Sequence, residues 1–156
     1  MQLPDRSALI DRLEALLDAA GTARATGPSD RSGIRAPAIF VVQVEGYEGL
    51  AAEAREVLER EVVRRLDRLV RSTDVVGRLA ADRYVLVADA LAPESAGAVA
   101  ERLRSAFAMP LSLDRQLVSL PVRIAVEHPA GRRGRRVRAE DLLAGAEAQL
   151  ERREGR

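Results

Sequence analysis

The stretch Val75-Val76-Gly77-Arg78-Leu79-Ala80-Ala81-Asp82-Arg83-Tyr84, followed by Val85 to Ala88, decides the fold. Two short apolar runs, Val75 to Leu79 and Tyr84 to Ala88, flank four small or charged residues. Branched and aromatic residues on either side of such a break predict a β-hairpin. Working outward, Tyr47 to Arg71 contains no proline and repeats Leu50, Ala54, Val57, Leu58, Val62, Leu66, Leu69 and Val70 on a helical period. The spacing predicts one long helix or two abutting ones with a charged outer face. Ala38 to Val44 is almost wholly apolar, the pattern of a strand covered on both faces.

Further helices are expected over Asp5 to Ala20, Pro93 to Phe107 and Ala139 to Arg153, the second with Pro93 in its first turn. Strands are expected near Gln116 to Leu120 and Val122 to Glu127. Gly21 to Pro37, rich in Gly, Pro and Ser, reads as an exposed, mobile loop, and Gly131 to Arg138 as a second loop. The order α, β, α, β, β, α, β, β, α predicts an α+β sandwich, with helices against a largely antiparallel sheet, in a single domain over residues 1–156.

Composition narrows the chemistry. With 47% hydrophobic residues in 156, the chain can bury a core unaided. It has no cysteine and one histidine, His128. That excludes thiolate metal sites and disfavours a histidine-based metal site or triad. No apolar run approaches the ~20 residues of a membrane span, and the first residues lack a signal-peptide centre, so a cytoplasmic location is expected. Every one of the 25 basic residues is arginine, and the net charge is +1, too small to draw the chain toward nucleic acid. The run Arg132 to Arg138 holds five arginines, which suit either a solvated loop or a polyanion contact. Four aromatics offer little base stacking, so nucleic-acid recognition is not expected.

The hairpin resembles the signature of the GGDEF family, the fold of the diguanylate cyclases: an arginine, an apolar residue, then Gly-Gly-Asp-Glu-Phe. Here the signature occupies Ala80, Ala81, Asp82, Arg83 and Tyr84. The flanks agree in register. Leu3-Pro4-Asp5-Arg6 resembles the family's opening Leu-Pro-Asn-Arg. Val42 to Tyr47 resembles its first strand and turn, and Ala100 to Arg104 and Asp141 to Gly155 sit where it has helices. The resemblance spans nearly the whole chain and implies a nucleotidyl-cyclase, palm-like sandwich.

It also implies a loss of chemistry. In the family, the aspartate ending the first strand and acidic signature residues hold the cations that activate GTP, because hard oxygen ligands suit magnesium. Gln43 and Arg83 replace two of those carboxylates, leaving Asp82. Ala80 and Ala81 add β-carbons where the family has glycines that let a nucleotide approach the backbone. The guanine-reading groups would fall near Ala51 to Ala54, where no such group stands. Glu154 takes the place of a phosphate-binding lysine, and Arg123 that of a strand glycine. No catalytic residue, metal site or cofactor is therefore expected.

One family element stays in register. Arg71-Ser72-Thr73-Asp74 matches the Arg-x-x-Asp of the product-inhibition site, with Arg102 where a supporting arginine is expected. Guanidinium forks onto a guanine edge or phosphate, and a carboxylate accepts from guanine N–H groups. Equal spacing recurs at Arg64 to Asp67 and Arg138 to Asp141, so register alone singles out this pair. The pair also suits a purely local role, a helix-end cation and a turn aspartate. On the ligand reading, replacing Arg71 or Asp74 should weaken binding at a nearly unchanged melting temperature. The expectation is a non-catalytic signalling module, either a receptor for cyclic di-GMP or a pseudo-enzyme that binds another signalling protein or its own copy. The alternatives are a residual diguanylate cyclase and a polyanion-binding adaptor.

Overall fold

The computed structural model describes residues 3–26, 35–131 and 136–154. Within them the chain is α+β. Helix α1 (Arg6–Thr26) leads to strand β1 (Ala36–Val44), and a 3₁₀ turn at Tyr47–Gly49 leads to α2 (Ala52–Leu69). The hairpin β2 (Val75–Ala80) and β3 (Arg83–Leu91) precedes α3 (Ala96–Ala108). Short strands β4 (Leu111–Leu113) and β5 (Gln116–Val118), then β6 (Val122–Glu127) and α4 (Ala139–Glu154), complete the order. The main sheet runs β2-β3-β1-β6, every pair antiparallel.

Alternation along β1 explains the layers, because successive side chains point to opposite faces. Ala38, Phe40, Val42 and Val44 face a core completed by Leu58, Val62 and Leu66 of α2 and Leu103 and Phe107 of α3. Ile39 and Val41 face Leu9 and Leu13 of α1 and Leu142, Leu143 and Leu150 of α4. All nine residues of β1 are buried, Gln43 among them, as its almost wholly apolar run predicts. Each fully buried Leu or Phe contributes about 1.5–3 kcal/mol relative to exposure, so the two layers are what hold the sheet. At Gly77 an added Cβ would lie 2.8 Å from Leu9 Cδ1, so the missing side chain lets α1 pack close on β2.

Several boundaries differ from the sequence reading. The expected loop over 21–37 is shorter, since α1 continues through Gly21 to Thr26 and β1 starts at Ala36; residues 27–34 lie outside the described residues. Ala and Arg in that extension are strong helix formers and carry the one glycine. Pro37, which cannot donate to a ladder, enters β1 at a register shift, where pairing moves from Ala36↔Leu91 to Ala38↔Ala88. The expected 47–71 helix is two pieces, broken at Leu50 and Ala51, which are extended. No polar loop stands at 51–55, because α2 starts at Ala52.

The hairpin turn is two residues, Ala81 and Asp82, rather than four. A shift at Leu79 lets Ala80 pair with Arg83 after Arg78 has paired with Tyr84. Strand β4 was not legible, and β5 stops at Val118 instead of Leu120. Their turn places Asp114 and Arg115 at φ 48 and 66, a conformation that glycine or asparagine would have signalled.

Candidate functional site

The signature hairpin lies between β1 and α2. Val44 N–H donates to the Asp82 carbonyl at 2.8 Å, which ties the turn to the end of β1. Arg78, in β2, holds the same turn from inside. Its guanidinium donates to the carbonyls of Ala81 at 2.7 Å and Ala80 at 3.2 Å, and meets Glu59 of α2 at 2.6 Å. The Tyr47 hydroxyl donates to the same Glu59 carboxylate at 2.6 Å. The Arg78 hydrogen bond holds the Glu59 carboxyl below its usual range, and the Glu59 contact raises Tyr47. In the sequence Arg78 is legible only as part of the motif, and Glu59 and Tyr47 carry no signal that joins them to it.

A cleft of about 910 Å³ opens between α2, the hairpin and the start of α1, lined by Leu3, Glu59, Arg60, Arg78, Ala81 and Tyr84 among others. Tyr84 is 1% exposed, and its hydroxyl has no hydrogen-bond partner among the described residues. Arg78 lies over its ring, 5.3 Å from the centroid. Burial pushes the Tyr84 hydroxyl up to about 12.

Gln43, Arg83 and Arg123 form a row across the end of the sheet. Gln43 pairs with Arg83 of β3 on one side and Arg123 of β6 on the other, and directly opposed residues share a face. That face is covered by α4. Arg83 approaches Glu147 at 3.6 Å, and Arg123 donates to the Leu150 carbonyl at 3.0 Å while pairing with Glu45 at 2.7 Å. Gln43 Nε2 reaches Asp82 Oδ2 at 3.5 Å, the outer limit of a hydrogen bond. Glu147 also pairs with Arg6 of α1 at 2.7 Å. Among the described residues, no three His, Cys, Asp or Glu side chains gather as cation ligands would.

Arg71 and Asp74 flank the turn between α2 and β2. Asp74 is engaged: Oδ2 accepts from the Arg71 N–H at 2.9 Å and Oδ1 from the Asp89 N–H at 3.1 Å, so the carboxylate fastens the turn to β3. Arg71 is exposed. Arg102 is on the outer side of α3, and no hydrogen bond or ion pair joins it to Arg71 or Asp74 among the described residues. The related spacing at Arg138 and Asp141 makes the same local turn, with Arg138 N–H on Asp141 Oδ2 at 3.3 Å.

The remaining candidates have local duties. His128 Nε2 meets the Leu91 carbonyl at 2.7 Å, and its Nδ1 accepts from the Ala130 N–H at 3.0 Å, as expected of a residue that ends a strand. In the arginine run, Arg136 pairs with Asp18 of α1 at 3.0 Å; residues 132–135 and the Glu154 side chain lie outside the described residues.

No protein-family model and no curated protein matches this sequence. Solved structures do. The sensory box/GGDEF family protein of Caulobacter crescentus CB15 is 25% identical at TM-score 0.78, over 96% of this chain and 92% of that one. The GGDEF domain of DgcB from Caulobacter crescentus, solved in complex with c-di-GMP, is 14% identical at TM-score 0.77, over 99% of this chain and 88% of that one. The diguanylate cyclase SiaD of Pseudomonas aeruginosa, solved with its activator SiaC, is 22% identical at TM-score 0.74; 99% of this chain matches 56% of SiaD. With its antiparallel sheet, the helices on both faces and the hairpin in register, this chain has the fold of the GGDEF domains.

Proposed function

We propose that this chain is a non-catalytic signalling module of the GGDEF fold, which reads cyclic di-GMP rather than making it. The observation that carries the non-catalytic half is the row Arg83–Gln43–Arg123. Two half-buried guanidiniums, each 19% exposed, flank the place where the resemblance calls for a cation ligand. A divalent metal and a nearby guanidinium repel each other away from bulk water, and with Glu147 and Glu45 already drawn to Arg83 and Arg123, Asp82 is the one carboxylate left at the positions where the resemblance calls for cation ligands. Phosphoryl transfer from GTP without that metal lacks the charge neutralisation it needs.

The receptor half rests on Arg71. Its side chain is exposed and has no partner among the described residues, so it is available to fork onto a phosphate or guanine edge. That the DgcB domain of the same fold was solved with c-di-GMP supports this ligand for the fold.

The test has two arms on the same protein. With GTP and magnesium or manganese, mass spectrometry should detect no cyclic di-GMP; product that disappears in Asp82→Ala would mean a residual cyclase. Calorimetric titration with cyclic di-GMP should give saturable binding. No heat at high micromolar nucleotide would remove the receptor reading and leave a protein-binding pseudo-enzyme; SiaD, a diguanylate cyclase that shares this fold over part of its length, was solved with a protein partner, its activator SiaC.

A further inference from the structure

Strand β6 is the outermost strand of the main sheet on the side opposite the hairpin, so one row of its backbone groups has no neighbouring strand. Gln149 of α4 closes part of that row. Its Oε1 accepts from the Val126 N–H at 3.3 Å, while its Nε2 donates to the Val126 carbonyl at 2.9 Å and to Glu127 Oε1 at 3.0 Å. A side-chain amide carries the same donor and acceptor as a peptide unit, so Gln149 stands where a residue of a fifth strand would pair. Backbone groups along a strand point to alternate sides, and Ile124, two residues back, therefore presents its N–H and C=O on the same outer side as Val126.

The strand Val122-Arg123-Ile124-Ala125-Val126-Glu127 is complementary to itself. Antiparallel pairing of two copies about Ala125 sets Arg123 opposite Glu127 of the second copy, an opposite-charge cross-strand pair on one face, in which Glu127, released by Gln149, joins the contacts that Arg123 already makes with Glu45 and the Leu150 carbonyl. The same register sets Ile124 opposite Val126, both with outward N–H and C=O groups, which is the hydrogen-bonded type of antiparallel pair. The backbone groups that this pairing needs at Val126 are the two that Gln149 holds.

We propose that the β6 edge is a self-association surface gated by Gln149: while its amide occupies Val126 the copies stay apart, and its release lets two copies join antiparallel about Ala125 into one continuous sheet. The gate is a competition between an intramolecular amide and the same hydrogen bonds made in trans, so it sets how tightly two copies associate.

Sedimentation of wild type, Gln149→Ala and Gln149→Glu tests it. Alanine removes all three hydrogen bonds, two of them to Val126; glutamate loses the donor to the carbonyl and faces Glu127. Both variants should tighten self-association at least about tenfold over wild type, the equivalent of one lost hydrogen-bonded contact. Adding Glu127→Arg to Gln149→Ala should return association to the wild-type level, because Arg123 of one copy then meets an arginine of the other. Hydrogen exchange at the Val126 amide, read in dilute Gln149→Ala, should speed up about tenfold and slow again as the concentration rises. Should Gln149→Ala lose its fold by circular dichroism, Gln149→Glu carries the test. Association no tighter than wild type in the folded variants overturns the gate, and undiminished association with Glu127→Arg overturns the register.

Discussion

Arg65 of α2 donates Nη1 to the Met109 carbonyl at 2.6 Å and so ties the middle of one helix to the end of another. The same guanidinium reaches the carbonyls of Ala106 at 3.1 Å and Pro110 at 3.2 Å, and its Nε donates to Glu61 at 2.9 Å. The last carbonyls of a helix have no intrahelical donors, and a cation there also suits the dipole. Arg65 is 7% exposed yet meets four acceptors, the condition under which a buried charge is tolerated.

Arg65→Met should therefore leave these carbonyls unpaired at a buried joint. Expected is a loss of about 2–4 kcal/mol, roughly 5–15 °C in melting temperature. Lysine keeps the charge but not the fork, so Arg65→Lys should fall between wild type and methionine. Thermal unfolding of the three proteins checks the order, and a methionine variant as stable as wild type would remove Arg65 from the α2–α3 joint.

The pair Glu59 and Arg78 gives a pH dependence. The folded-state pKa of Glu59 lies below its ordinary value of 4.5, chiefly because Arg78 hydrogen-bonds the carboxylate. A depressed acid contributes stability above its unfolded pKa and loses it as pH falls through the folded value. The stability difference between wild type and Glu59→Gln should be full at pH 7, about 1 kcal/mol for a partly exposed charge-assisted contact, and should shrink below about pH 4.5. Denaturant unfolding across that range is the measurement. A difference that stays constant with pH would mean that the carboxylate charge is not what holds the hairpin turn.

Arg71 and Asp74 should separate in a way that their shared motif does not announce. Asp74→Ala removes the acceptor for two backbone N–H groups and should cost about 1–2 kcal/mol of stability. The expected unchanged melting temperature is thus restricted to Arg71→Ala, an exposed side chain. If cyclic di-GMP binds here, Arg71→Ala should lose roughly ten- to a hundredfold in affinity, the scale of a charge-assisted contact. Arg64→Ala, which has the same spacing to Asp67, is the control. Equal losses in Arg64→Ala and Arg71→Ala would show that the register match has no functional content.

The sequence alone determined the layers and the order of the four helices and the four strands of the main sheet, though not the small strand β4. A strand buried on both faces needs a nearly continuous apolar run, and Ala38 to Val44 has one, broken only by Gln43; a helix with one buried stripe needs a 3.6-residue period, and α2 and α4 have it. The hairpin was legible because apolar runs and a polar break are local signals. Ends were less so: the Leu79 shift that shortens the turn, the left-handed Asp114 and Arg115, and the passage of Pro37 into β1 depend on neighbouring strands that local pattern does not contain. Sequence also marked Gln43, Arg83 and Arg123 one by one, but their relation to one another was tertiary. Gln43, Arg83 and Arg123 are far apart in the chain and become one row only because β1 lies between β3 and β6. For the same reason Gln149 was silent as a residue of an amphipathic helix, since the groups it satisfies belong to an edge that exists only once four strands have been ordered.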